Sequence, residues 1–142
     1  MAPRFWHFDT DVYGLRIGLA LGPLERTGAD WLTRRLQEAW PDLAKGGRVE
    51  LDDPAAGTYA DMVRIQTEEG YVIRIVRLPR FDFASPFDHG VLAHEVVHLT
   101  CGALRDLGVP HSEHEEEHAY LAELVHRRFL ELLRGKGARH GR

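Results

Sequence analysis

The pentapeptide His94-Glu95-Val96-Val97-His98 constrains this chain more than any other stretch, because its two histidines can act together only on a helix. Residues four apart on an α-helix share one face and lie about 6 Å apart along the axis, close enough for both imidazoles to reach one ion. Zinc accepts neutral imidazole nitrogens readily, and a site with three protein ligands keeps a fourth position for water. Glu95, beside the first histidine, is then placed to take a proton from that water as the metal lowers its pKa toward neutrality. The surroundings meet the helical requirement. Leu92, Ala93, Val96, Leu99, Thr100, Ala103, Leu104 and Leu107 recur at helical spacing and make a broad apolar face. His94 and His98 fall on the other side with Val91, Cys101 and Arg105, so the helix buries one flank and presents both histidines to a cleft. The competing reading is a pair of surface histidines on an amphipathic helix.

Start and stop signals frame this helix and order the rest of the chain. Ser85, Pro86 and Asp88 open it, and Gly108-Val109-Pro110 closes it. Ser112 and Glu115 have the spacing of a capping box, predicting a last helix that runs to about Arg134. Upstream, Phe5-Trp6-His7-Phe8 and Leu15 to Leu21 read as strands, the second with an apolar face on odd positions and small or polar residues on even ones. Thr27 with Asp30 repeats the capping pattern before a helix from about Gly28 to Trp40, which Pro41 ends. Further strands are expected near Arg48 to Leu51, Tyr59 to Thr67 and Tyr71 to Leu78. Glu68-Glu69-Gly70 turns the last two into a hairpin. An exposed edge of that hairpin could pair with an extended peptide by strand addition.

Composition narrows the function classes. At 142 residues the chain is one ordinary domain with a real core, read here as residues 1–134 followed by a flexible basic tail over 135–142. A net charge of −4 argues against a general nucleic-acid binder, which would show a basic surface. The one basic concentration is Arg134, Lys136, Arg139 and Arg142, interleaved with glycine. No stretch approaches the ~20 apolar residues of a membrane span. Cys101 is the only cysteine, so no internal disulfide can form and a reducing cytoplasm is the expected setting. Asp52-Asp53-Pro54 reads as a turn. His7, His89, His126 and His140 lack partner spacing and are expected at the surface or an interface, while Trp6, Trp31 and Trp40 are expected in packing.

Two histidines need a third donor. Cys101 faces the right way but lies about 10 Å from His94 along the axis, too far to share its ion. A small buried thiol is its expected role. The remaining candidates crowd into Glu113-His114-Glu115-Glu116-Glu117-His118, at the start of the last helix. That helix is apolar through Leu121, Ala122, Val125, Phe129, Leu132 and Leu133. His118 falls inside this sector, Glu115 on its edge and Glu116 outside it, which suits either glutamate as a ligand better than His118. The bland account of these carboxylates is that a helix N-terminus favours negative charge.

His94-Glu95-Val96-Val97-His98 with a glutamate-bearing helix after it resembles the gluzincin class of zinc metallopeptidases, whose third ligand is a glutamate on the next helix. The run from Val72 to Phe129 also resembles a group of small phage-encoded proteins that share a strand segment, an Ala-His-Glu-x-x-His helix, a short glycine-containing turn and a helix with Glu-x-x-Ala-Tyr-Leu. That last pattern is Glu116-Glu117-His118-Ala119-Tyr120-Leu121 here. The stretch from Glu116 to Leu124 is similar as well to the corresponding helix of the phage-repressor-cleaving metallopeptidases of the ImmA and IrrE type, for which a helix-turn-helix DNA-binding partner would be implied. No motif unique to that group appears.

The resemblance implies an α+β, zincin-like domain. It would have a mostly antiparallel twisted sheet packed on an N-terminal helix and the motif helix, with the two C-terminal helices forming the metal site. It also implies zinc held by His94, His98 and Glu116, with Glu95 as general base in peptide-bond hydrolysis. Tyr120, one turn beyond Glu116, becomes a candidate donor to the developing oxyanion, with Arg105 and His114 as the others. The expected partner is a peptide or protein substrate, in the bacterial host cytoplasm if the chain is phage-encoded. A phage accessory or assembly protein that binds zinc without cleaving anything is the alternative, as is a metal-free interaction module.

Overall fold

The computed structural model describes residues 2–43, 51, 59–67 and 70–135. It is an α+β fold with a four-stranded mixed sheet and three helices. The elements are β1 (Arg4–Asp9), β2 (Arg16–Leu21), α1 (Ala29–Ala39), a 3₁₀ turn (Pro41–Leu43), β3 (Asp61–Gln66), β4 (Val72–Leu78), α2 (Pro86–Asp106) and α3 (Glu115–Leu133). The strands and α1 form one compact unit ending at Arg80, and α2 and α3 form a second beginning at Phe81. No helix among the described residues is long and apolar enough to cross a membrane. The strand expected from Arg48 to Leu51, the Asp52-Asp53-Pro54 turn and the tail beyond Gly135 lie outside the described residues, Leu51 excepted, and Leu51 is not in a strand.

In the first unit the strand order is β1-β2-β4-β3. β1 pairs antiparallel with β2, and β3 with β4, as consecutive strands joined by short connections usually do. The central pair differs, because β2 and β4 run parallel, with Ile17 opposite Arg74 and Leu19 opposite Val76. Parallel neighbours need a crossover. The chain between them contains α1, whose Leu32 and Leu36 pack with Ala20, Ile73 and Ile75 of the sheet.

Both faces of β2 are covered. From Ile17 to Leu21 every residue is buried, the small residues on even positions as well as the apolar ones on odd positions. Small residues stand there because the space is already taken: a Cβ on Gly18 would come within 2.8 Å of the Phe5 ring. The helix itself departs from the Thr27 capping box. Gly28 is the N-cap with no side-chain cap bond, because the Thr27 hydroxyl turns back and donates to the Pro23 carbonyl at 3.3 Å. Pro41 does end the helix, with Trp40 before it in a non-helical conformation. The Trp40 indole Nε1–H donates to Asp9 Oδ1 at 2.9 Å, joining the end of α1 to β1.

Two arginines lie buried in β4, Arg74 and Arg77. Arg77 donates through Nε to Asp61 Oδ1 at 2.7 Å, through Nη2 to Asp61 Oδ2, and through Nη1 to the Thr27 carbonyl at 3.1 Å. This two-pronged carboxylate pairing is what makes a buried guanidinium tolerable.

Candidate metal centre

The second unit starts with a helix whose ends are set by its own sequence. Ser85 Oγ accepts the backbone N–H of Asp88 at 3.2 Å, and Pro86 occupies the first turn, where its missing N–H costs nothing. Asp88 is buried and its Oδ2 accepts the Asp82 N–H at 2.9 Å, tying the preceding segment to the helix start. At the other end Gly108 adopts a left-handed φ of 76°. The Val109 and Gly108 amides reach back to Leu104 O at 2.8 Å and Arg105 O at 3.0 Å, the two bonds of a Schellman cap. Between these caps Leu92, Val96, Leu99, Ala103 and Leu104 are buried, as the apolar spacing predicts. Leu107, assigned to the same face, is exposed.

On the opposite side of α2 the exposed rings of His94 and His98 converge. Their Nε2 atoms are 3.0 Å apart and their ring centres 4.7 Å apart. Two zinc–nitrogen bonds of about 2.0–2.1 Å at a tetrahedral angle place the nitrogens roughly 3.3 Å apart, so little adjustment would let both rings hold one ion. Without an ion the same contact is a hydrogen bond, one Nε2–H donating to the other ring's lone pair. Glu95 sits on the inner flank, only 8% exposed and engaged with other groups, whereas Val97 on the outer flank is 54% exposed.

The other predicted residues are placed differently. Among the described residues no three of His, Cys, Asp and Glu gather into a group able to hold a metal, so Glu116, Glu115 and His118 are not brought to the His94–His98 pair. Glu116 and Glu115 are exposed in the first turn of α3, and Tyr120 is 53% exposed. The Ser112 capping box does not form. A turn over Pro110–His114, with Glu113 N to Pro110 O at 3.3 Å, delays the helix until Glu115, and His114 is the N-cap without a side-chain cap bond. The three glutamates of that first turn lie where the helix dipole favours negative charge. Glu117 is held below the ordinary carboxylate range by its backbone amide and then by the His114 side chain. His118 belongs to the core, as its sector predicts, with Nε2 3.0 Å from the Val109 carbonyl. Cys101 is half-buried, less enclosed than expected.

One relation was invisible in the spacing. His126 feels the charge of His89, thirty-seven positions earlier in the chain. His89 Nε2 contacts the Phe83 carbonyl at 2.9 Å, and the ring meets Phe81 and Phe83 edge-on. His126 Nε2 is buried with no protein partner among the described residues. Burial, and then the charge of His89, lower the His126 pKa below its ordinary value of 6.5. His7, whose ring centre lies 5.1 Å from that of Trp40, shifts the same way through desolvation, with Asp9 opposing. Each folded-state pKa is below the unfolded one, so the unfolded chain binds more protons as pH falls through 6.5. Stability is therefore expected to be fully present above that pH and to decline below it. Urea unfolding midpoints at about pH 7.5 and about pH 5.5 check this, and His126→Gln should flatten the difference.

Neither a family model, nor a curated protein, nor a solved structure matches this chain.

Proposed function

We propose that this protein is a zinc-dependent hydrolase of peptide bonds. The observation that supports this reading most is the pair of exposed imidazoles on α2 whose Nε2 atoms lie 3.0 Å apart, beside a glutamate. Both are nitrogen donors of the kind zinc prefers; His94 and His98 would hold the ion, and Glu116, which stands apart from the pair, is the third ligand that the resemblance implies. When bound, zinc would lower the pKa of a water and polarise a carbonyl. The Glu95 carboxylate, which follows His94 in the chain and is withdrawn from bulk water, would accept a proton and hand it on to the leaving amine. The exposed Tyr120 hydroxyl would donate to a developing oxyanion. A single cysteine, Cys101, supports action in a reducing cytoplasm.

A second reading is a phage accessory or assembly protein that binds zinc without catalysis. Ligand count separates the two, because structural zinc takes four protein ligands and catalytic zinc three plus an open position. In zinc titrations, His98→Ala is expected to weaken binding by more than about a hundredfold, the upper range for outer-shell partners. Glu116→Ala should weaken it far more than Glu113→Ala or Glu117→Ala. Equal effects at the three glutamates would reduce Glu116 to a helix-terminus charge.

A further inference from the structure

We propose that His118 and His111 form a second site for a divalent late transition ion such as zinc, separate from the His94–His98 pair and independent of the hydrolase reading. The tautomer of His118 is set by its hydrogen bond. Its Nε2 lies 3.0 Å from the Val109 carbonyl oxygen. A carbonyl can only accept, so in the neutral ring Nε2 carries the proton and Nδ1 the lone pair. A histidine that ligates through one nitrogen almost always donates its other N–H to a carbonyl or carboxylate, which orients the ring and raises the basicity of the ligating atom. His118 has this arrangement with the ligating atom unspent. The residue is 5% exposed, and Nδ1 is buried without a protein partner among the described residues.

The second donor is His111, whose ring packs edge-on against His118 with centres 4.9 Å apart. The His94 and His98 rings, whose nitrogens do converge, are separated by 4.7 Å. Two imidazoles sharing a tetrahedral ion have centres roughly 5 Å apart. His111 is exposed on the turn between α2 and α3, so an approaching ion meets it first. Imidazole selects zinc, copper and nickel over calcium or magnesium. Two protein donors leave the other positions to water, which makes this a weaker site than a three- or four-ligand centre. An ion there would pin the turn to the first turns of α3, since His111 lies on one and His118 on the other.

The test uses the full chain with His94→Ala and His98→Ala combined, so that the first pair is silent, and zinc chloride as the probe. Calorimetry is expected to show one zinc per chain, and the ¹⁵N resonance of His118 Nδ1 should move on addition of metal. Adding His111→Ala, a change at an exposed residue that leaves the core intact, should weaken binding about tenfold or more. The proposal is overturned if the double variant binds no stoichiometric zinc, if His111→Ala leaves the affinity unchanged, or if the His118 Nδ1 resonance does not respond because a water alone satisfies that atom.

Discussion

Glu95→Gln is expected to leave zinc binding intact while lowering peptide hydrolysis by about 10²–10⁴, the contribution of a positioned general base. The amide keeps the shape of the carboxylate, so packing around this 8% exposed side chain should be conserved, but it cannot take a proton. Metal content measured beside turnover decides the matter. Loss of zinc together with activity would make Glu95 a ligand. Undiminished turnover would remove it from the chemistry. The contrast in exposure between Glu95 and the His94–His98 rings gives the experiment its force. Ligands need access to the ion, whereas a base works best where bulk water does not compete for its proton.

Phe129→Ala should cost about 3–5 kcal/mol of folding free energy, the usual range for deleting a buried phenyl ring. Phe129 is 0% exposed and shares the inner face of α3 with Leu121, Val125 and Leu132. Since α2 and α3 pack on each other, the cavity would open beside the helix that carries the candidate metal ligands. A domain holds only about 5–15 kcal/mol in all, so urea unfolding followed by circular dichroism should show a large fall in the midpoint. Tyr120→Ala, at a 53% exposed position, is expected to change stability by less than about 0.5 kcal/mol. A loss below about 1 kcal/mol for Phe129→Ala would mean that this face relaxes to fill the gap.

Much of the helical unit was legible because its determinants are local. Ser85 caps the amide three residues on, Pro86 takes the first turn, and Gly108 supplies the left-handed residue that closes the helix. The hairpin of β3 and β4 was legible for the same reason. Capping failed as a guide at Thr27 and Ser112, where each hydroxyl residue competes with a turn that its neighbours already form. Arg77 was illegible because its partner, Asp61, becomes adjacent only through strand pairing. The parallel contact of β2 with β4 was hidden likewise, because nothing in either strand encodes which other strand lies beside it.

The amino-acid order by itself determined that His94 and His98 share a helical face, since a 3.6-residue turn brings any such pair together once the helix forms. It also determined which flank of that helix is apolar. Only tertiary structure decided that Glu95 is withdrawn from solvent and that His118 is enclosed with one nitrogen spoken for. It also decided that Glu116 stands on an exposed turn apart from the pair. Helix periodicity acts over four residues, whereas a third donor must arrive across eighteen, and its arrival depends on where a turn ends and how two helices pack.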